Sequence, residues 1–159
     1  IRPKILLEAV IASLEPRASQ RDIDITLEDT SALLDPQVVH GNHDEITEVF
    51  VNLIDNAIKY AFVRTTVTVR MGVSDSQYLR IDVINHGEGI EERHLSRITE
   101  RFYRVDKARS RQIGGTGLGL AIVKHIVSRH RSKLLIESTP DKTTMFSVLF
   151  PNLTSGDSL

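Results

Sequence analysis

Gly114-Gly-Thr-Gly-Leu-Gly-Leu-Ala-Ile122 places four glycines within six residues and runs directly into an apolar-periodic segment. Glycine permits backbone conformations that a β-carbon forbids, and it lets backbone N–H groups come close to a ligand. Free N–H groups at a helix N-terminus, with the helix dipole behind them, form a ready anion site. The stretch is therefore a candidate polyphosphate site, with Gly115, Thr116, Gly117, Leu118 and Gly119 at the phosphates. A flexible loop capped by a helix is the alternative that the glycines alone leave open. The commoner phosphate patterns do not fit. The Lys-Ser/Thr ending of a P-loop is missing, and Leu120 or Ile122 stands where a dinucleotide fingerprint needs its third glycine. The chain also lacks the HRD and DFG triplets of protein kinases.

Working outward, the segment from 119 to 131 reads as a helix, with Leu118, Ile122, Val123, Ile126 and Val127 apolar. Upstream, residues 99 to 115 show no sustained periodicity and carry arginines at 101, 104, 109 and 111. A long irregular basic segment that ends in a glycine loop reads as a lid over a ligand, with Phe102 and Tyr103 as its apolar anchors. Before it lies a short helix candidate over 91 to 98.

Two alternating runs, Thr65 to Gly72 and Tyr78 to Ile84, predict an antiparallel hairpin around Ser74-Asp75-Ser76. The second run leads into Asn85-His86-Gly87-Glu88-Gly89-Ile90. Two glycines at alternate positions allow a tight bend and leave a slot where a planar ring can approach. Asn85, at the strand end, can hydrogen-bond such a ring, although an ordinary glycine turn has the same wording.

The helix predicted over 45 to 61 has a core face at 46, 49, 50, 53, 54, 57 and 58. Asn52, Asn56, Lys59 and Tyr60 recur beside it as a polar stripe. Asparagine is a mediocre helix former, so two of them one turn apart invite an explanation. Their amide oxygens are neutral hard ligands suited to Mg²⁺, which keeps its waters and substrate phosphates. Lys59 offers a point charge to phosphate and Tyr60 an aromatic face to a base. A plain exposed helix face is the bland alternative. Asn42 or Asp44 is the expected cap.

The N-terminal part predicts a helix over 5 to 14 ended by Pro16, a strand over 23 to 27, a turn at Asp35-Pro36 and a short strand at 38 to 40. At the other end, 134 to 138 and 145 to 150 are strand candidates around Pro140-Asp141, and residues 152 to 159 read as a frayed tail after one domain over 1 to 151. Length suits one domain with a real core. A net charge of -1 argues against a broad nucleic-acid surface. Zero cysteines exclude disulfides and thiolate metal sites, and the six histidines show no ligand spacing, so they are read as structural or exposed. No apolar run reaches the roughly 20 residues that span a bilayer. Starting at Ile1 without methionine, the chain is expected to be an excised domain with a membrane segment or partner domain upstream.

In this order the motifs resemble the catalytic, ATP-binding domain of bacterial sensor histidine kinases, members of the GHKL superfamily, over about Ile5 to Pro151. Asn52-Leu-Ile-Asp-Asn56-Ala-Ile-Lys59-Tyr60 matches the N box and Gly87-Glu-Gly89 the first glycine box. Glu100-Arg-Phe102-Tyr-Arg104-Val-Asp106 matches the F box and Gly115-Thr-Gly117-Leu-Gly119-Leu the second glycine box. The wording from Glu100 to Arg111 is particularly similar to phosphate-regulon sensor kinases. The resemblance implies a two-layer α/β sandwich, the Bergerat or GHKL ATP-binding fold, with a mixed sheet, helices on one face and a mobile lid. It implies ATP and Mg²⁺ as cofactors. Asn56 would bind the metal with Asn52 assisting, Lys59 would neutralise phosphate charge, Tyr60 would pack against the adenine, Gly87 and Gly89 would shape its slot, and Asn85, Ile90, Phe102 and Thr144 would belong to the nucleotide site. Arg104 would reach the γ-phosphate, and Gly115 to Gly119 would hold the phosphates. Thr144 matches the family's late threonine.

The implied function is transfer of the γ-phosphoryl group to a histidine on a separate dimerisation domain, for relay to a response regulator. The whole protein would be homodimeric and membrane-anchored, with this domain in the cytoplasm. Three departures stand out. Asn85 occupies the family's adenine-binding Asp position, Asn42 stands where Asp is frequent, and Ser132, Asp141 and Thr143 replace common glycines. They keep open a degenerate, regulatory module with weakened nucleotide affinity. A gyrase- or Hsp90-type ATPase is a third reading, but it needs a water-activating Glu where this chain has Asn52.

Overall fold

A computed structural model describes residues 1–31, 37–74, 78–103 and 118–151. The elements are α1 (Pro3–Ser19), β1 (Asp24–Asp29), α2 (His43–Tyr60), β2 (Thr66–Ser74), β3 (Tyr78–His86), α3 (Glu92–Leu95), α4 (Gly119–Arg129), β4 (Lys133–Thr139) and β5 (Thr143–Pro151). Five strands form one sheet in the order β1-β2-β3-β5-β4, with β1 parallel to β2 and the other pairs antiparallel. The parallel pair needs a long crossover, and α2 lies within it. The expected mixed sheet with helices on one face is thus borne out.

Strand alternation assigns the faces. Val67, Val69, Leu79, Ile81, Val83, Phe146, Val148 and Phe150 turn toward the helices and are buried. They meet Leu6, Leu7, Val10 and Ile11 of α1, Phe50, Leu53 and Ile54 of α2 and Val123 of α4 in one core. Each such side chain contributes about 1.5–3 kcal/mol by leaving water.

Three local expectations need correction. Pro16 does not end α1 but lies inside it. Its missing N–H and its ring disfavour a helix interior, yet Leu14 and Ala18 are both buried on the core and carry the helix past it. The chain at 38 to 40 is not a strand. Val39 exchanges two bonds with Ile1, its N–H donating to the Ile1 carbonyl (2.9 Å) and its carbonyl accepting from the Ile1 ammonium (3.1 Å). Helix α3 is only four residues long, and its continuation through Ile98 is a set of turns closed onto the His94 carbonyl.

The helix-free face carries a polar cluster. Asp82 is 4% exposed and accepts from Arg70 (3.1 Å), Arg80 (2.8 Å) and the Ser147 hydroxyl (2.6 Å). Arg80 also donates to Ser147 (3.2 Å). The carboxylate is thereby satisfied by three donors, which is what a charged group needs when it is buried.

Candidate functional site

Helix α2 starts where the Asn42 side chain accepts from the Glu45 N–H (3.0 Å), the capping role left open between Asn42 and Asp44. Its apolar face is sunk in the core, so Asn52 and Asn56 stand half-buried beside it. A β-carbon on Gly119 would lie 3.1 Å from the Asn52 side-chain oxygen. The polar stripe of α2 thus meets the first residue of α4. Neither asparagine amide is hydrogen-bonded to a described residue, so both oxygens keep their lone pairs for a hard cation, and the pair fits Mg²⁺. Lys59 turns to Asp55 (3.1 Å), which also takes Arg17 from α1 (2.9 Å). At the other end of α4, His130 accepts from the Asn42 N–H (3.1 Å) and donates to the Ile126 carbonyl (2.8 Å), while Arg129 pairs with Glu45 (2.6 Å). These contacts fix α4 against α2.

At the end of β3, Asn85 stands opposite Thr144, and Ser138 stands opposite Thr144 from β4, making one polar row on the helix side of the sheet. Asn85 is 4% exposed and Thr144 5%. Gly87 follows. A β-carbon there would overlap the Tyr60 carbonyl oxygen, so only glycine lets this turn close on the end of α2. The closure is completed by an Ala61–Gly87 bridge and by the Phe62 N–H donating to the His86 carbonyl (2.8 Å). Gly89 has a left-handed φ of 76°, with the Thr139 carbonyl 2.8 Å from where a β-carbon would sit. The Ile90 N–H donates to Ser138 (2.7 Å), whose hydroxyl shares a bond with Thr144 (2.8 Å). The first glycine stretch is therefore bolted to α2 on one side and to the β4–β5 hairpin on the other.

Tyr103 packs against the core, bonds through its hydroxyl to His94 and lies under Arg97, 4.6 Å from the ring centroid. Phe102 does not anchor beside it. Its φ is 63° and its side chain is 66% exposed, because the left-handed turn that delivers Tyr103 inward points Phe102 outward. Leu118 and Gly119 lie half-buried at the start of α4. Arg104, Gly115, Thr116 and Gly117 lie outside the described residues, as do the Ser74–Ser76 turn beyond Ser74, most of the lid and the tail. Among the described residues no group of three or more histidines and carboxylates is placed to hold a metal ion.

Sequence reading missed Arg21. Its guanidinium donates to the carbonyls of Ile58, Lys59 (2.9 Å) and Ala61 (2.9 Å), closing the C-terminus of α2 from the end of α1. The available signal was negative: α2 ends at Tyr60-Ala61 with no glycine to cap it, so its last carbonyls need a donor from elsewhere.

A mixed five-stranded sheet with helices on one face, and the asparagines of α2 set beside the N-terminus of α4, define a two-layer α/β domain. Residues 41–154 match the family described as histidine kinase-, DNA gyrase B-, and HSP90-like ATPase, and the chain belongs to that family. ATP binding comes with it. The chain is similar to the phosphate regulon sensor protein PhoR of Pseudomonas aeruginosa (38% identical over 150 residues, 92% of this chain and 33% of the relative). It is also similar to PhoR of Haemophilus influenzae (41% over 114 residues, 72% of this chain and 27% of the relative). It spans about a quarter to a third of the length of these relatives. Its fold matches the solved mycobacterial sensor histidine kinase MprB, with a TM-score of 0.80, 25% identity and coverage of 96% of this chain and 95% of that one. The same fold appears in the catalytic domain of the histidine kinase ThkA, with a TM-score of 0.80, 23% identity, and 95% and 93% covered.

Proposed function

We propose that this chain is the catalytic half of a sensor histidine kinase, which binds Mg-ATP and donates its γ-phosphoryl group to a histidine on a separate dimerisation domain. A response regulator then takes the phosphoryl group. The observation that carries this reading is the pair of uncommitted asparagine oxygens on α2 set beside the N-terminus of α4. Asn56 and Asn52 would hold the magnesium ion, which neutralises phosphate charge when bound. Gly115, Thr116, Gly117, Leu118 and Gly119 would direct backbone N–H groups at the phosphates. Arg104 would stabilise charge as it develops on the transferred group. Lys59 would have to leave Asp55 to reach a phosphate, a surface exchange that costs little. Asn85, Gly87, Gly89, Ile90 and Tyr60 would enclose the adenine, with Thr144 behind Asn85.

The phosphoacceptor histidine would lie on a separate dimerisation domain, since the helices among the described residues pack on one sheet as a single two-layer domain. In the whole protein, a homodimer anchored in the bacterial inner membrane would hold this domain in the cytoplasm. Mixing the chain with its histidine-bearing domain and γ-labelled ATP tests the reading. Acid-labile label on that domain is expected, and its loss is expected in an Asn56→Ala variant. ATP bound without any transfer would instead support a regulatory module and overturn the kinase reading.

A further inference from the structure

The Asn85 residue is 4% exposed, and its amide is not hydrogen-bonded to any described residue. Its neighbours in the polar row are already committed. Ser138 and Thr144 bond to each other (2.8 Å), and Ser138 also meets the Ile90 N–H (2.7 Å) and the Thr143 carbonyl (3.2 Å). The amide nitrogen lies along the glycine wall, 3.1 Å from where a β-carbon on Gly87 would be. No fully buried side-chain N or O atom among the described residues lacks a partner, so the unpaired edge of the Asn85 amide reaches the surface, where a ligand can meet it. An amide offers both an acceptor oxygen and two N–H donors, whereas a carboxylate can only accept. The terminal torsion of asparagine is broad and two-fold, so either end can turn to the slot.

We propose that Asn85 lets this domain take purine nucleotides with either a 6-amino or a 6-oxo group, so that guanine and inosine nucleotides bind beside adenine nucleotides. This rests on the nucleotide reading above, with the base at Asn85. A 6-amino group donates to the Asn85 oxygen. A 6-oxo group accepts from the Asn85 nitrogen after the amide turns over. An aspartate at this position would repel the oxo group and strengthen the bond to the amino group.

Calorimetric titration of Mg-ADP, Mg-IDP and Mg-GDP into the unaltered chain tests the proposal without any variant. Inosine carries the 6-oxo group without the 2-amino group of guanine, so it isolates the position that Asn85 reads. Affinities for ADP and IDP within about tenfold are expected, set against the roughly 10- to 150-fold that one mismatched charged hydrogen bond makes. The Asn85→Asp variant should widen the gap by that larger factor, through tighter ADP and weaker IDP. ADP bound with IDP rejected by the unaltered chain overturns this proposal and leaves the nucleotide reading standing. If neither nucleotide binds to either protein, the nucleotide reading falls and takes this proposal with it.

Discussion

Gly87 and Gly72 offer a matched pair of substitutions, because both are crowded and only one is crowded by backbone. In Gly72→Ala the new methyl would meet the Thr30 hydroxyl at 2.5 Å. That side chain can rotate away at the cost of its bond to the Met71 carbonyl (3.0 Å), about 1 kcal/mol. Replacing glycine returns about 0.4–1 kcal/mol through the unfolded chain, so the net change is close to zero. In Gly87→Ala the methyl meets the Tyr60 carbonyl. That group is held by α2 and flanked by the Lys59 and Ala61 carbonyls, both bonded to Arg21. Overpacking of this kind costs about 1–3 kcal/mol, and the Ala61–Gly87 bridge must part. A net loss of about 2 kcal/mol corresponds to a Tm lower by roughly 4–8 °C for a chain of this size. The displaced turn also follows Asn85 and carries the residues proposed to meet the base, so Mg-ADP affinity should fall in Gly87→Ala and hold in Gly72→Ala. Thermal melts and calorimetry on the two variants decide. A Gly87→Ala protein with the Tm and affinity of Gly72→Ala would refute the reasoning.

Arg21→Lys should cost about 1–3 kcal/mol, since one ammonium cannot bridge three carbonyls as a planar guanidinium does. Hydrogen exchange should then speed up at the last turn of α2 before the rest of the helix. Asp82→Ala removes the shared partner of two arginines and a serine and should cost about 2 kcal/mol after allowance for the partial exposure of the guanidiniums, read as a lower urea midpoint with unchanged nucleotide affinity.

The core was legible in the sequence wherever a strict period was present. The 3.6-residue recurrence of α2 and the alternation of β2, β3 and β5 name the buried residues directly, because one face of each element must leave water. Helix α1 was legible only in part: its exposed face carries Ile5 and alanines as well as charges, so its length was underestimated and Pro16 was given too much weight. The asparagine stripe of α2 and the glycine stretch after β3 were visible because asparagine and glycine are costly in such places without a reason. Arg21 and the His130 clasp were not visible, since each depends on which helix ends the tertiary fold brings together. The exposure of Phe102 was hidden for a related reason. A left-handed residue inverts the side from which its neighbour is presented, and an aromatic residue gives no local sign that it adopts that conformation.

The arginine-laced face of the sheet governs how this domain meets other β surfaces. Two sheets that stack approach to about 10 Å and expel the water between them. Here that would strand two half-solvated guanidiniums and the carboxylate they share in a dry seam, with no water to complete their solvation. Flat association into fibril-like layers is therefore penalised from within the native fold, without a covering element. A surface of this kind stays wetted, and the domain can be presented at high local concentration without gluing to its own copies.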